Sequence, residues 1–287
     1  MKNAVLAACI LLSLAVLVSG QEKGSPYDRM ISLSKEGLTD ESLRSFVASL
    51  SKEDFKRLVI EYRLENIPSP QVNVFGGMSM LSILYYEHGA GQNDGYEEWA
   101  TDVADRSYPA EWRNIILADT PSKARPQSTE QKKDYQALLR RFVVSEEEMA
   151  GIRREALLRL EYESLSAAQF SEFTRSLEEI VTTPDQHPGL FQTALREIDH
   201  VIDSGKETAA KGPAPAIAKA IAAGDVAAVA GDKNLPAEQK HFFTQVAELS
   251  KDFGAILENL SSTTNLPNYL QNEVRKLKDK RSAASSF

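Results

Sequence analysis

Apolar residues recur along this chain at the spacing of one helix face, and this pattern limits the fold more than any other feature. The spacing i, i+3, i+4, i+7 is typical of an amphipathic helix that buries one side. Strand-like alternation is confined to one short candidate, residues 72–75. We therefore expect an all-α protein. The stretches with the helical spacing begin at Leu43, Phe55, Tyr96, Tyr135, Phe170 and Phe242.

Several of these stretches follow a Ser or Thr that is itself preceded by an apolar residue. A hydroxyl at this position caps the first backbone N–H groups of a helix, and the apolar residue packs on the one four positions past the cap. Thr39, Ser51, Ser145 and Ser166 fit this arrangement. They predict helix starts. They do not by themselves predict a repeat, because good helix starts resemble each other for local reasons.

A second regularity has a longer period, which predicts pairs of helices. The segment around Arg113 aligns with the segment around Arg153 at an offset of 40 residues, and Ile152 aligns with Leu190 at an offset of 38. Loops that contain proline separate the aligned segments. The aligned positions that we interpret as structural repeat positions are Trp112, Arg113, Ile152, Arg153, Leu190 and Ala194.

On these residues, the stretch at about residues 95–203 resembles the HEAT and armadillo repeats, whose units are about 40 residues long and contain two or three helices. In that family an acidic residue in the turn accompanies an Arg early in the second helix, and Asp105 with Arg113 fits these places. Phe191 stands where the third unit needs its Arg. The resemblance implies a HEAT-like α-solenoid of helical hairpins. An irregular helical bundle is the alternative.

The first 20 residues have the layout of a cleaved secretory signal. Lys2 precedes an apolar run at residues 4–18, and small residues lead to Gly20 before the chain becomes polar. Such a run is shorter than the roughly 20 apolar residues of a spanning helix. We expect an exported protein, periplasmic or secreted, with an uncleaved anchor as the alternative. Cys9 is the one cysteine, so the mature chain has neither disulfides nor thiol chemistry.

Changes in composition divide the rest of the chain. Small residues and prolines replace large apolar residues after Ser204, which is typical of a linker, although Ile217, Ile221, Val226 and Val229 also fit a thin helix pair. The expected divisions are a signal peptide (residues 1–20), a flexible N-terminal segment (21–37), a helical repeat domain (38–203), an Ala/Gly/Pro-rich linker (204–234), a C-terminal helical hairpin (235–281) and a frayed tail (282–287).

The charge of the chain argues against a nucleic-acid partner. Its formal net charge is -8, whereas nucleic-acid binding depends on neutralising phosphates. Basic residues cluster only near the end, where we interpret them as the solvated face of a last helix whose cations suit its dipole. Contact with a membrane surface is the alternative for this cluster. Its members are Arg275, Lys276, Lys278, Lys280 and Arg281.

No spacing of residues predicts catalysis, a cofactor or a metal ion. The histidines, at positions 88, 187, 200 and 241, form neither HExxH nor HxxxH, and we interpret them as ordinary loop and surface residues. Aromatic residues are concentrated in the first half of the chain. Tyr86 and Tyr108 are the candidates for a partner-binding surface, because exposed aromatic side chains often anchor partners.

These observations lead to two hypotheses about function. The first is an exported, non-catalytic helical scaffold or protein-binding module, because helical arrays present long surfaces for docking. The alternative is an exported all-α enzyme, a lyase or hydrolase, in which His88 and Asp94 converge with a tyrosine. The sequence indicates neither the partner nor the oligomeric state.

Overall fold

A computed structural model describes residues 24–37, 39–64, 74–89, 95–183, 187–211, 215–263 and 265–284. These residues form α-helices, two short 3-10 helices and connecting turns, without a strand among them. The prediction of an all-α protein is confirmed. The strand candidate at residues 72–75 is wrong in its described half, since Val74 begins a helix. The signal peptide lies outside the described residues.

The described helices follow each other through short connections. In chain order they are α1 (Pro26–Gly37), α2 (Asp40–Ala48), α3 (Lys52–Leu64), α4 (Val74–His88), α5 (Gly95–Ala104), α6 (Ala110–Ala118), a 3-10 helix (Ser122–Ala124), α7 (Thr129–Val144), α8 (Ala150–Leu157), a second 3-10 helix (Tyr162–Ser164), α9 (Ala167–Thr182), α10 (Pro188–Lys211), α11 (Pro215–Ala223), α12 (Val226–Gly231), α13 (Ala237–Ser261) and α14 (Asn268–Ala284).

Three of the four predicted caps are present. Thr39 and Ser166 accept hydrogen bonds from the backbone N–H groups three residues on, and Ser51 accepts one from the N–H of Asp54 at 3.1 Å. Ser145 is different, because it follows the end of α7 and the next helix begins only at Ala150. Val144, the apolar residue before Ser145, is the last residue of α7, so the pattern at Ser145 marks the end of a helix and not the start of one.

The described helices form two compact units, unit 1 up to Arg125 and unit 2 from Pro126. In unit 1 the core is rich in aromatic side chains. The ring of Phe55 on α3 stacks on Tyr85 of α4 with 3.8 Å between centroids. The indole N–H of Trp112 on α6 donates to Ser82 Oγ of α4 at 2.9 Å, and that of Trp99 on α5 donates to the carbonyl of Ile116 at 3.1 Å. These contacts hold α3, α4, α5 and α6 together.

The N-terminal segment also contributes to unit 1. We predicted that residues 21–37 are flexible, but Pro26–Gly37 is helical. Tyr27 and Met30 are buried, and the ring of Tyr27 meets that of Tyr62 on α3 edge to face at 6.4 Å. The prediction is therefore wrong for the described part of this segment, which packs on α3.

In unit 2, the long helix α10 contacts α8, α9, α11, α13 and α14. Its core is made of apolar side chains that solvent does not reach, and α13 and α14 pack on each other and on α10. Residues 282–284, which we expected to fray, continue α14. The core side chains include Phe173, Leu177, Ile198, Val246 and Phe253.

The predicted linker at residues 204–234 is wrong. Its first part completes α10, and α11 and α12 occupy most of the remainder. Small residues serve close packing here: a Cβ atom on Gly205 would lie 2.8 Å from Val246 Cγ1 of α13. Ile217 and Ile221 are buried, as the alternative of a thin helix pair predicted. Low side-chain volume was mistaken for chain flexibility.

One contact recurs 40 residues apart, once in each unit. The guanidinium Nε of Arg113 donates to the carbonyl of Val103 at 2.6 Å, and that of Arg153 donates to the carbonyl of Val143 at 3.1 Å. Each carbonyl lies in the last turn of a helix, where the intrahelical acceptors lack partners. A buried arginine therefore caps the helix before its own.

The turns around these arginines also match. The residues before α6 and α8 have nearly the same backbone angles, φ -56 and ψ 135 at Pro109 and φ -57 and ψ 136 at Met149. Each of the two following helices leads to a 3-10 helix, Ser122–Ala124 in one case and Tyr162–Ser164 in the other. The local structure of residues 95–124 thus recurs in residues 129–164.

Candidate functional site

The two tyrosines predicted to form a partner-binding surface lie inside unit 1. Tyr86 is 0% exposed and Tyr108 is 3% exposed, so neither side chain is available to a partner. The hydroxyl of Tyr86 donates to Asp102 Oδ2 at 2.8 Å, and the ring of Tyr108 stacks on Trp112 with 4.3 Å between centroids. The predicted surface is wrong, because both rings fill the core.

Both tyrosines belong to a buried polar group that we call the acid–tyrosine cluster. In this cluster, the hydroxyl of Tyr85 donates to Glu98 Oε1 at 3.1 Å. The ammonium of Lys52 lies 3.4 Å from Glu98 and 3.3 Å from Asp102. These contacts join α3, α4 and α5. The cluster consists of Lys52, Tyr85, Tyr86, Glu98, Asp102 and Tyr108.

Burial determines the electrostatics of the cluster. It raises the pKa of Asp102 above its usual value, although the hydrogen bond from Tyr86 and the charge of Lys52 act in the opposite direction. Burial and the neighbouring carboxylates raise the pKa of Tyr85, Tyr86 and Tyr108 far above the usual value of a phenol. The three tyrosines therefore stay protonated, and Tyr85 and Tyr86 act as hydrogen-bond donors to the carboxylates.

The tyrosines and carboxylates of the acid–tyrosine cluster are buried and only Lys52 reaches solvent, which makes the acids poorly accessible to a substrate. Glu98 Oε2 and the hydroxyl of Tyr108 are shielded from solvent and have no hydrogen-bond partner among the described residues. Just outside the cluster, Lys56 pairs with Asp105 at 2.7 Å, and its hydrogen bond helps lower the pKa of Asp105 to about 2. The sequence does not reveal the cluster, because Glu98 and Asp102 have the spacing of acids on the solvent-exposed face of a helix.

A groove in unit 2 is the best candidate for a ligand site. It lies between the second 3-10 helix, the start of α9, the end of α10 and the start of α13, and its volume is about 770 Å³. Sites for small molecules measure roughly 300–1,000 Å³. The residues that line it are Glu163, Leu165, Ser166, Ala167, Phe170, Thr208, Ala209, Leu235, Ala237, Glu238, Gln239, His241, Phe242, Phe243 and Gln245.

Phenylalanines from α9 and α13 make the floor of the groove. The rings of Phe170 and Phe242 lie 5.3 Å apart between centroids, and those of Phe242 and Phe243 lie 5.6 Å apart. Phe170 and Phe243 are buried, whereas Phe242 is only half-buried. The groove therefore offers an aromatic surface that other side chains cover incompletely.

The rim of the groove is polar. Glu163, Glu238 and His241 are exposed at its edges. On one wall, the amide Nε2 of Gln245 donates to the carbonyl of Ala167 at 3.3 Å, which ties α13 to the start of α9. An apolar floor with a small number of polar groups around it is the usual composition of a site for an organic ligand.

The four histidines are dispersed. His88 is exposed, His187 Nδ1 accepts a hydrogen bond from the N–H of Gly189 at 3.2 Å, His200 meets the ring of Tyr162 edge to face at 5.8 Å, and His241 lies at the groove. Within the described residues, no three His, Cys, Asp or Glu side chains are grouped to hold a metal ion. Asp94 of the proposed enzyme cleft lies outside the described residues.

Three members of the basic cluster near the end of the chain, Lys278, Lys280 and Arg281, pair with acids of unit 2. Lys280 pairs with Asp199 and with Asp203, both at 2.5 Å, and Arg281 pairs with the same two acids. In addition, Arg196 of α10 pairs with Glu273 of α14 at 2.6 Å. These contacts fix α14 on α10. Of the helices in the described ranges, none is long and apolar enough to cross a membrane.

The predicted repeat positions all lie in the core. Their burial agrees with the apolar stripes from which they were chosen, and the two arginines are buried by their bonds to backbone carbonyls. The positions are Trp112, Arg113, Ile152, Arg153, Leu190 and Ala194.

Comparisons of the whole chain with known protein families, with curated proteins and with solved structures found no match.

Proposed function

We propose that the protein is an exported, non-catalytic helical binding protein whose ligand occupies the groove of unit 2. The groove is the main support for this proposal, because its volume of about 770 Å³ suits a small molecule and its phenylalanine lining is partly exposed. Apolar surface left in water costs about 25 cal/mol per Å². A ligand with an apolar body gains free energy by covering Phe242.

The finer description of the fold is part of the same proposal. We propose that the helix pairs form a HEAT-like array, and the recurrence of the Arg113 and Arg153 contacts at an offset of 40 residues supports it. Export is supported by the apolar run at residues 4–18 and by the small residues before position 21. Mass spectrometry of the mature N-terminus from the native host tests export directly.

A neutral apolar fluorophore, N-phenyl-1-naphthylamine, tests the groove. We expect it to bind the full mature chain with a Kd in the micromolar range. Replacing Thr208, which lines the groove from α10, with Trp fills the space and weakens binding by about tenfold or more. Ala210→Trp is the matched control, because Ala210 is exposed on the same helix but does not line the groove.

Equal binding by wild type, Thr208→Trp and Ala210→Trp means that the fluorophore binds elsewhere, and it contradicts the proposal. Circular dichroism of each variant confirms that the helices are intact. A protein partner, which the sequence led us to expect, is tested by cross-linking in the native compartment. Loss of the cross-link in Thr208→Trp alone assigns that partner to the groove.

A further inference from the structure

We infer that the groove selects a cationic ligand, an organic ammonium whose charge is attached to an apolar body. This inference rests on the proposed function and goes further, because it names the chemistry that the groove prefers. Two features point to it. They are the charges of the side chains around the groove and the aromatic faces on its floor.

The charged side chains of the groove have one sign. Among the described residues that line it, Glu163 and Glu238 carry carboxylates, and no lysine or arginine is present. The two nearest lysines of α10 are paired with acids of their own helix, Lys206 with Asp203 at 3.1 Å and Lys211 with Glu207 at 3.5 Å. On α13, Lys240 stands between the lining residues Gln239 and His241 but does not itself line the groove. A positive ligand thus meets two carboxylates and no cationic side chain among the lining residues.

The N-termini of two helices carry partial positive charge, which acts against the negative charge of these carboxylates. The N-termini of α9 and α13 lie at the groove, beginning at Ala167 and Ala237. Each helix end is equivalent to about half a positive charge. Two ends thus supply roughly one positive charge against two full negative charges. Moreover, the hydroxyl of Ser166 already accepts from the N–H of Gln169 at the start of α9. The balance favours a cation.

The floor of the groove favours the same charge. The face of a phenylalanine ring carries partial negative charge and attracts an ammonium group placed within about 6 Å of its centre. Phe170 and Phe242 are neighbouring rings on this floor, and Phe242 is half-buried. An organic ammonium covers apolar surface with its body, and its charge is attracted both by the half-buried ring of Phe242 and by the carboxylates of the groove. A carboxylate ligand gains only the first of these.

Three naphthalene compounds of similar size test the inference by calorimetry on the full mature chain at low ionic strength. They are 1-naphthylmethylammonium, 1-naphthylmethanol and 1-naphthylacetate. We expect the cation to bind most tightly, about fivefold or more better than the neutral alcohol, and the anion to bind most weakly. Because the carboxylates are at the rim, 0.3 M salt should reduce the advantage of the cation.

Variants identify the source of the preference. In the double variant Glu163→Gln, Glu238→Gln, the cation should lose its advantage while the neutral alcohol binds as before. The matched control is Glu130→Gln, Asp134→Asn, which makes the same change in net charge at exposed positions of α7. This control should keep the preference of the wild type.

The outcomes separate the inference from the proposed function. If the neutral alcohol binds the wild type as tightly as the cation, the groove is a binding site and the inference is wrong. Tightest binding of the anion also overturns the inference, because the helix ends then dominate. If none of the three compounds binds and the neutral fluorophore does not bind either, the proposed function fails together with the inference.

Discussion

Two segments with the same local structure, residues 95–124 and residues 129–164, differ in what they bury on the same helix face. In the first segment Glu98 and Asp102 are buried on α5, and in the second the corresponding positions, 40 residues on, are Leu138 and Phe142 of α7, also buried. Both segments keep the turn, the capping arginine and the 3-10 helix. The acids are therefore not needed to form this helix–turn–helix.

The contacts that the two segments share determine their local structure. The helices packed against each segment determine whether its buried face is polar or apolar. The acids of α5 meet Lys52 from α3 and the hydroxyls of Tyr85 and Tyr86 from α4. Buried ion pairs often contribute no more stability than well-packed apolar residues, while removal of one partner is costly. We expect the two faces to respond differently to substitution and to pH.

The largest effect is expected for the apolar face. Phe142→Ala removes a buried ring, and such substitutions typically lower the free energy of unfolding by about 3–5 kcal/mol. Urea unfolding followed by circular dichroism, with hydrogen exchange of α7 and α8, measures the loss. A loss below about 1 kcal/mol would contradict close packing at this position.

The second-largest loss of stability is expected for the arginines that the two segments share. Arg113→Leu and Arg153→Leu each leave a helix-terminal carbonyl without its donor, which costs roughly 1–3 kcal/mol. Both tryptophans, Trp99 and Trp112, lie in unit 1, so the fluorescence of the chain follows unit 1. We expect Arg113→Leu to shift the fluorescence transition, and Arg153→Leu to raise hydrogen exchange in α7 and α8. Loss of stability in only one of the two variants would break the equivalence of the segments.

A smaller effect is expected for the polar face. Asp102→Ala leaves the hydroxyl of Tyr86 without its acceptor, at a cost of roughly 1–2 kcal/mol, because burial already disfavours the charge that is removed. Asp102→Asn retains an acceptor for Tyr86 and should lose less. Tryptophan fluorescence during urea unfolding compares the two variants. A greater loss in the asparagine variant would show that the charge pairing with Lys52 dominates.

The pH dependence is expected to be the smallest effect. Because the pKa of Asp102 is raised in the folded chain, its contribution to stability is fully present below the usual pKa of 3.8 and is lost as pH rises through the folded pKa. The facing groups are Lys52, Tyr86 and Glu98. The stability difference between wild type and Asp102→Asn, measured by fluorescence across pH 3 to 7, isolates this contribution from that of Asp105.

In unit 2, Asp203 is expected to change stability with pH in the opposite direction. The pKa of Asp203 is lowered by its hydrogen bond to Lys280 and the charge of Arg281, against the effect of burial. Its contribution is present above the usual pKa of 3.8 and is lost as pH falls through the folded pKa. Asp203→Asn should therefore reduce stability at pH 7 more than at pH 3, by hydrogen exchange of α14. The same loss at both pH values would contradict this.

Local sequence patterns predicted the helices and the correspondence of Arg113 with Arg153, because both depend on residues close together in the chain. They did not predict which polar residues are buried. Glu98, Asp102 and Asp105 are spaced by four and three residues, and Lys52 with Lys56 matches them from α3. However, only the tertiary packing distinguishes this arrangement from a solvated face. The same limit explains why Tyr86 and Tyr108 were assigned to the surface.

The groove was beyond sequence reasoning for a different reason. Its lining comes from three separate parts of the chain, around residues 163–170, 208–209 and 235–245. Each part alone resembles an ordinary helix end. The second part also lies in the stretch interpreted as a linker. There Gly205 and Ala209 are buried in α10, and the missing side chain of Gly205 allows Val246 of α13 to approach closely. Small residues indicate a linker only where nothing packs against them.

The ion pairs between α10 and α14 affect the order in which the chain acquires its structure. Asp199 is synthesised 81 residues before Lys280, its partner. As the chain elongates, Asp203 can pair with Lys206 of its own helix, whereas the pairs of Asp199 with Lys280 and Arg281 form only when α14 arrives. Contacts with such long sequence separation form late because loop closure is costly. Unit 2 should therefore reach its final stability only after α14 is available.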